Sequence, residues 1–277
     1  VRTEPMPSDA ELMEFYQGFS FRRPDLARLE RDVQRVTQSL EHFVGRPRGE
    51  NARFLDYGGG FGIYCLAARR LGWQPWLFDY DRGCIDFARE QLGLPHAVAD
   101  LGELSARRFD VIFGYHVIEH WNVLDANMEA LLELLAPEGR IVFATPHADS
   151  LEKWVRPYHL RNYWKRLRRE GEGSARALSL ALRPKSFLCW DPPRHLFAFT
   201  GEALHQLGRR HGLEAKVEVG YNTSLLHEPR QDVLPGTAPG LLAGAIARFS
   251  RLGCRALNAL FPAYGEQLYV TYTRSGS

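Results

Sequence analysis

Three observations predict a doubly wound α/β domain. Short apolar runs of strand length alternate with longer amphipathic stretches through residues 50–146, the pattern of a parallel sheet with helices on both faces. The first run, Phe54-Leu55-Asp56-Tyr57, ends in a tight glycine turn, Gly58-Gly59-Gly60-Phe61-Gly62, that opens an apolar helical pattern at Ile63, Leu66, Ala67 and Leu71. The chain has 277 residues, 45% of them hydrophobic and 25% charged, enough to bury one large core with insertions or a cap.

The elements follow in order. Residues 24–44 carry Leu26, Leu29, Val33, Val36, Leu40 and Val44 at a helical spacing, with Pro24 suited to a first turn and Gly45 to a stop. This helix is expected to cap the crevice of the sheet as part of an N-terminal unit, residues 1–50. Strands are expected at 52–57, 74–79, 95–99, 109–114 and 139–144, with helices between them, giving a core over 51–146. The alternation breaks after Pro146, and residues 151–185 hold ten Arg or Lys against three Glu. That stretch, within an insertion over 147–194, reads either as a solvated basic face or as an electropositive lid. A helix near 200–211, with Thr200 as its N-cap, and a strand near 214–220 resume the pattern over 195–277. A second insertion, 225–264, carries an apolar helix from Leu241 to Phe261, and Glu266 to Tyr272 supplies a last strand. With these the sheet is expected to have seven strands and two insertions over its crevice.

Function enters at the turn. Glycine reaches positive φ and lets the backbone approach a ligand. A second acid, Asp79, ends the strand-like run Pro75-Trp76-Leu77-Phe78. Two βα units with an acid after the second strand describe a nucleoside-binding crevice. A dinucleotide fingerprint would require glycine where the chain has Ile63, and the spacing is instead D-x-G-x-G-x-G from Asp56.

With that spacing the chain resembles the class I S-adenosylmethionine-dependent methyltransferases. Further segments match in order: Phe78-Asp79-Tyr80-Asp81, Ala99-Asp100-Leu101, Phe109 to His120, and Leu135 to Phe143. The resemblance is close over 50–146 and looser over 190–224, and it implies a Rossmann-like fold and S-adenosylmethionine as cofactor. It implies that Asp79 takes the ribose hydroxyls, with Tyr80 beside it, and that Gly58, Gly60 and Gly62 shape the cradle. Asp56 is implied near the methionine end, Asp100 and Leu101 at the adenine, and His116 at the border of the cofactor. The segment Pro5 to Tyr16 is similar to one that follows a cysteine-rich ribbon in some sugar-modifying methyltransferases, but those cysteines are missing and no metal ligand is assigned. The chain opens on Val1 rather than methionine, which is expected of a processed or trimmed chain.

The acceptor is less constrained. Enzymes acting on exocyclic nucleobase nitrogens carry an (Asp/Asn)-Pro-Pro-aromatic loop after strand four, where this chain reads Gly114-Tyr115-His116-Val117. Its Asp191-Pro192-Pro193 lies elsewhere and reads as a rigid turn. A hydroxyl or carbon acceptor needs a general base, and histidine has the right pKa. His195 is the first choice, His116 the second, and His120 is read as structural or cofactor-side before catalytic.

Four dispersed cysteines form no C-x-x-C pair, so zinc and disulfide frameworks are not expected, and a reducing cytoplasm is the expected location. A net charge of +2 argues against bulk attraction to polyanions, and no long apolar run spans a membrane. The reading is methyl transfer to a small, oxygen-rich or anionic acceptor, such as a sugar or a specialised-metabolism intermediate. The alternatives are an RNA or lipid-linked acceptor, or a non-catalytic adenosyl-binding partner subunit. Nucleic acid and membrane are disfavoured as partners, and a homodimer through the Leu241–Phe261 helix stays open.

Overall fold

The computed structural model describes residues 2–17, 23–151, 193–220, 252, 253, 256 and 259–276. Most of the basic insertion, Asp191-Pro192, and most of the Leu241–Phe261 helix lie outside the described residues. The elements are α1 (Asp9–Gln17), α2 (Leu29–Val44), β1 (Arg53–Tyr57), α3 (Ile63–Leu71), β2 (Gln74–Phe78), α4 (Arg82–Leu92), β3 (Ala97–Val98), β4 (Phe109–Tyr115), α5 (Leu124–Leu134), β5 (Leu135–Pro146), α6 (Gly201–Arg210), β6 (Leu213–Gly220) and β7 (Gln267–Arg274).

Seven strands form one sheet in the order β3-β2-β1-β4-β5-β7-β6. The first five run parallel, and β7 inserts antiparallel to both β5 and β6. The strand order reverses between β1 and β4, so the ends of those strands open a crevice where such sheets bind ligands.

Alternating side chains build a core on each face. Leu55, Ile112, Ile141 and Phe143 point with Tyr272 into the core beneath α5 and α6. Phe54, Val111, Phe113 and Val142 point to the other side, where α2, α3 and α4 pack. The period of two along each buried strand therefore sorts neighbouring residues into opposite cores. Complete burial of a large apolar side chain in either core contributes about 1.5–3 kcal/mol.

Some boundaries differ from expectation. The cap helix begins at Leu29 rather than near Pro24, because Asp25 accepts the Ala27 N–H at 3.1 Å and bends the preceding residues into a turn. Val33, Val36, Leu40 and Val44 are buried, and α2 packs in the helical layer against α3. Strand β5 starts at Leu135, earlier than residue 139, and its pairing with β4 shifts register between Phe109 and Val111. Thr200 caps α6 as expected, accepting the Ala203 N–H at 3.2 Å. No helix among the described residues is long and apolar enough to cross a membrane.

Candidate active site

The glycine turn after β1 is tied to β2. The N–H groups of Gly58 and Gly59 donate to the carbonyl of Phe78 at 2.7 and 3.3 Å. A Cβ at Gly58 would stand 2.8 Å from Val117 Cγ2, and one at Gly62 would stand 2.6 Å from Leu94 Cδ1. Space therefore excludes side chains at both. Gly60 is different: nothing lies within 4 Å of the place a Cβ would take, and its φ of 54° is what demands glycine. Its N–H donates to Asp79 Oδ2 at 2.8 Å.

Asp79 ends β2 half-buried, and its other oxygen accepts the Asp81 N–H at 2.9 Å. Burial raises its pKa, with these N–H bonds opposing the shift. The cap of α4 is Asp81, whose side chain accepts from Gly83 at 2.8 Å and from Cys84 at 3.4 Å. Asp79 thus faces the glycine turn rather than the helix. Tyr80 beside it is 72% exposed, with its ring 4.8 Å from that of Phe78, edge to face.

Asp56 lies deeper than a crevice residue. It is wholly buried, and a Cβ on Gly59 would sit 2.2 Å from its Cγ, so the turn closes directly over the carboxylate. Its Oδ1 has no hydrogen-bond partner among the described residues, while Cys65 Sγ makes a weak 3.8 Å contact with Oδ2. Burial, followed by the charge of Asp79, pushes its pKa up to about 8. Asp100 is exposed and accepts the Gly102 N–H at 2.9 Å, capping a short 3-10 turn over Leu101–Leu104. Leu101 packs half-buried on the α5 side core.

The second half of the site follows β4. His116 has a φ of 55°, the one positive value at a non-glycine residue among those described. For a residue with a Cβ this is a strained position that surrounding contacts must hold. Its Nδ1 lies 3.0 Å from Glu119 Oε1 and its Nε2 lies 3.0 Å from Gln267 Nε2. The ring is thus held between the Glu119 carboxylate and the Gln267 amide, and the amide group that faces Nε2 sets its tautomer.

Glu119 is 1% exposed and accepts the Thr145 hydroxyl on Oε2 at 3.0 Å. Burial alone would raise its pKa, but the hydrogen bond from His116 and the charges of His116, His120 and His195 outweigh it and lower it to about 2. Its backbone carbonyl accepts the N–H groups of Leu196 and Phe197 at 2.7 and 3.1 Å, which draws residues 193–199 alongside. His120 Nδ1 sits 2.8 Å from the Arg194 carbonyl, and the His120 and His195 ring centroids are 4.8 Å apart. Burial lowers the pKa of His120, partly opposed by Glu119 and that carbonyl.

These two halves form one site. Val117, next to His116, packs on Gly58 of the turn, and Tyr115 bridges from the ring of Tyr64 in α3 to that of His116 at 5.0 and 4.5 Å. All three histidines expected from the sequence therefore gather beside the crevice. Glu119, Thr145 and Gln267 carry the constellation without having been singled out. The available signal was Glu119 standing between two flagged histidines.

Comparison with known proteins agrees with this fold. Residues 28–218 match a family model described as a methyltransferase domain. A stretch of 119 residues is 32% identical to a ubiquinone biosynthesis O-methyltransferase of Chelativorans sp. (strain BNC1), covering 38% of this chain and 46% of that relative. The chain thus spans about half of that protein's length. Among solved structures, a SAM dependent methyltransferase from Archaeoglobus fulgidus superposes with a TM-score of 0.51 at 18% identity, over 90% of this chain and 99% of that one. A [4+2]-cyclase, SpnF, also reaches 0.51 at 14% identity, over 87% and 80% of the two chains. At these identities the likeness concerns the fold.

Proposed function

This chain belongs to the S-adenosylmethionine-dependent methyltransferases, and from that premise we propose that its acceptor is a hydroxyl of a small, oxygen-rich or anionic metabolite. The turn fits the cofactor. Its glycines leave a cradle with open space over Gly60, the helix behind it has no side-chain cap, and Asp79 stands at its edge. An uncapped helix N-terminus favours an anionic group such as a carboxylate. A carboxylate at Asp79 accepts hydrogen bonds only, and so suits a pair of ribose hydroxyls. When bound, the cofactor supplies a methyl group already activated by its sulfonium.

The protein's task is then to hold the acceptor atom in line and about 3–3.5 Å away. The observation that carries an oxygen acceptor is the buried Glu119 with His116, His120 and His195 around it, beside the glycine turn. An amine or thiolate would need no such cluster, whereas a hydroxyl must be oriented through its hydrogen and relieved of it. The name of the Chelativorans relative, an O-methyltransferase, supports the same reading. Residues 151–185, with their excess of Arg and Lys, would favour an anionic acceptor.

The test is incubation with S-adenosylmethionine and a panel of phenols, vicinal diols and sugars, next to amine and thiol analogues, with products weighed by mass spectrometry. The expected result is a methyl group added to a hydroxyl, with S-adenosylhomocysteine formed in equal amount. Transfer confined to amines, RNA or lipid-linked acceptors would overturn this acceptor class. Binding of adenosyl ligands with no transfer to any acceptor would favour a non-catalytic partner subunit.

A further inference from the structure

We propose that Glu119, His120 and His195 form a divalent-metal site on the acceptor side of the crevice. A carboxylate oxygen of Glu119 and one ring nitrogen from each histidine all lie within 4.8 Å of one another. Metal–ligand distances of about 2.0–2.2 Å put neighbouring ligand atoms around one ion roughly 3–3.6 Å apart, so the widest pair must close by on the order of 1 Å. A small inward movement of the side chains would complete the geometry.

The surroundings are those of held ligands. A metal-binding histidine usually bonds through its second nitrogen to a carbonyl or carboxylate, which fixes its tautomer and aim. His120 meets the Arg194 carbonyl through Nδ1 at 2.8 Å. Glu119 is fixed in turn by the Thr145 hydroxyl at 3.0 Å. The third ligand comes from a distant segment, and the Glu119 carbonyl itself brings it in by accepting the N–H groups of Leu196 and Phe197. The residue that supplies the carboxylate therefore also fastens the strand-like segment that carries His195.

Two imidazoles and a carboxylate suit first-row divalent ions from manganese to zinc better than magnesium or calcium. Three protein ligands leave positions open for an acceptor. This deepens, and rests on, the reading of an oxygen acceptor. The ion would hold two neighbouring oxygens of that acceptor and lower the pKa of the one to be methylated. That oxygen releases its proton to solvent and its lone pair forms the new O–CH3 bond. The S–CH3 bond breaks with its electrons left on sulfur, so the sulfonium becomes a neutral thioether. On this reading His195 holds the ion rather than acting as a free base, and the expectation of no metal is set aside.

Metal binding is measured without acceptor or cofactor, so this proposal and the oxygen-acceptor reading fail separately. The full chain, free of any histidine tag and stripped with EDTA, is titrated with MnCl2 by calorimetry and electron paramagnetic resonance. The expected result is a single saturable Mn2+ site per chain, displaced by Zn2+, and weakened at least about tenfold by His195→Ala and by His120→Ala. Asp79→Ala should leave Mn2+ affinity unchanged. Because Glu119→Gln risks misfolding, the half-buried His195→Ala carries the decision. Absence of Mn2+ and Zn2+ binding at millimolar concentration, or binding equal in wild type and His195→Ala, would overturn the proposal.

Discussion

The backbone N–H of Gly60 donates to Asp79 Oδ2 across 2.8 Å, tying the turn after the first strand to the acid that ends the second. The bond explains why glycine and acid serve as a unit: the turn holds the carboxylate, and the carboxylate holds the turn in its left-handed conformation. Asp81, two residues on, takes the separate task of capping α4.

That division of labour separates two mutants. Asp79→Ala should weaken S-adenosylmethionine and S-adenosylhomocysteine by about ten- to a hundredfold, since bonds to a charged group contribute roughly 1.5–3 kcal/mol. Asp81→Ala should instead cost about 1 kcal/mol of stability through the lost cap, with cofactor affinity nearly unchanged. Calorimetric titration and urea unfolding of both variants check the pair. A cofactor defect equal in the two would show that the acids act together.

The basic stretch gives a prediction from charge alone. Reversing Arg166, Arg168 and Arg169 to Glu should lower kcat/KM strongly at low salt and less at high salt, because screening removes the wild-type advantage. Cofactor affinity should stay constant. A salt profile equal to wild type would return residues 151–185 to a solvated face.

Much of the sheet was legible because strand length, periodicity and the glycine turn are local signals. The last strand expected over Glu266 to Tyr272 is present as β7, and its antiparallel pairing with both neighbours is what the folded sheet adds. What local signals could not give were depth and distance. Asp56 reads as a crevice acid, yet the turn folds back over it and buries it wholly. Glu119 gains its meaning from Thr145 on another strand and from residues 194–197, partners that only the folded sheet assembles. The start of α2 was misplaced because a side-chain bond from Asp25 makes a turn where hydrophobic spacing alone continues a helix.

Gly59→Ala tests the closure over Asp56. Its Cβ would stand 2.2 Å from the carboxyl carbon of the wholly buried Asp56, so the turn or the carboxylate must shift. Overpacking of this kind costs typically about 1–3 kcal/mol. Urea unfolding should show that loss together with weaker adenosyl-ligand binding. Unchanged stability would mean that the turn yields readily.

Asp56 itself makes stability depend on pH in an unusual direction. An ordinary buried carboxylate held by N–H groups loses its contribution as pH falls. Asp56 has no such partner on Oδ1, and its folded pKa is raised to about 8 by burial and then by Asp79. The unfolded chain releases this proton near pH 3.9, so between about 4 and 8 the native state binds the extra proton. Stability then falls as pH rises through that window. The contribution is complete below the unfolded pKa and lost as pH passes the folded one. The slope from this residue should be on the order of 1 kcal/mol per pH unit. Asp56→Asn keeps the shape without the titration, so the ligand-free variant should lose that slope and gain on the wild type toward pH 8. If the cofactor's amino group is drawn to this acid, binding near pH 7 should also release a proton in the wild type and none in Asp56→Asn. Calorimetry in buffers of different ionisation enthalpy reads that proton directly. Parallel stability curves for the two proteins from pH 4 to 8 would mean that Asp56 stays ionised in the fold.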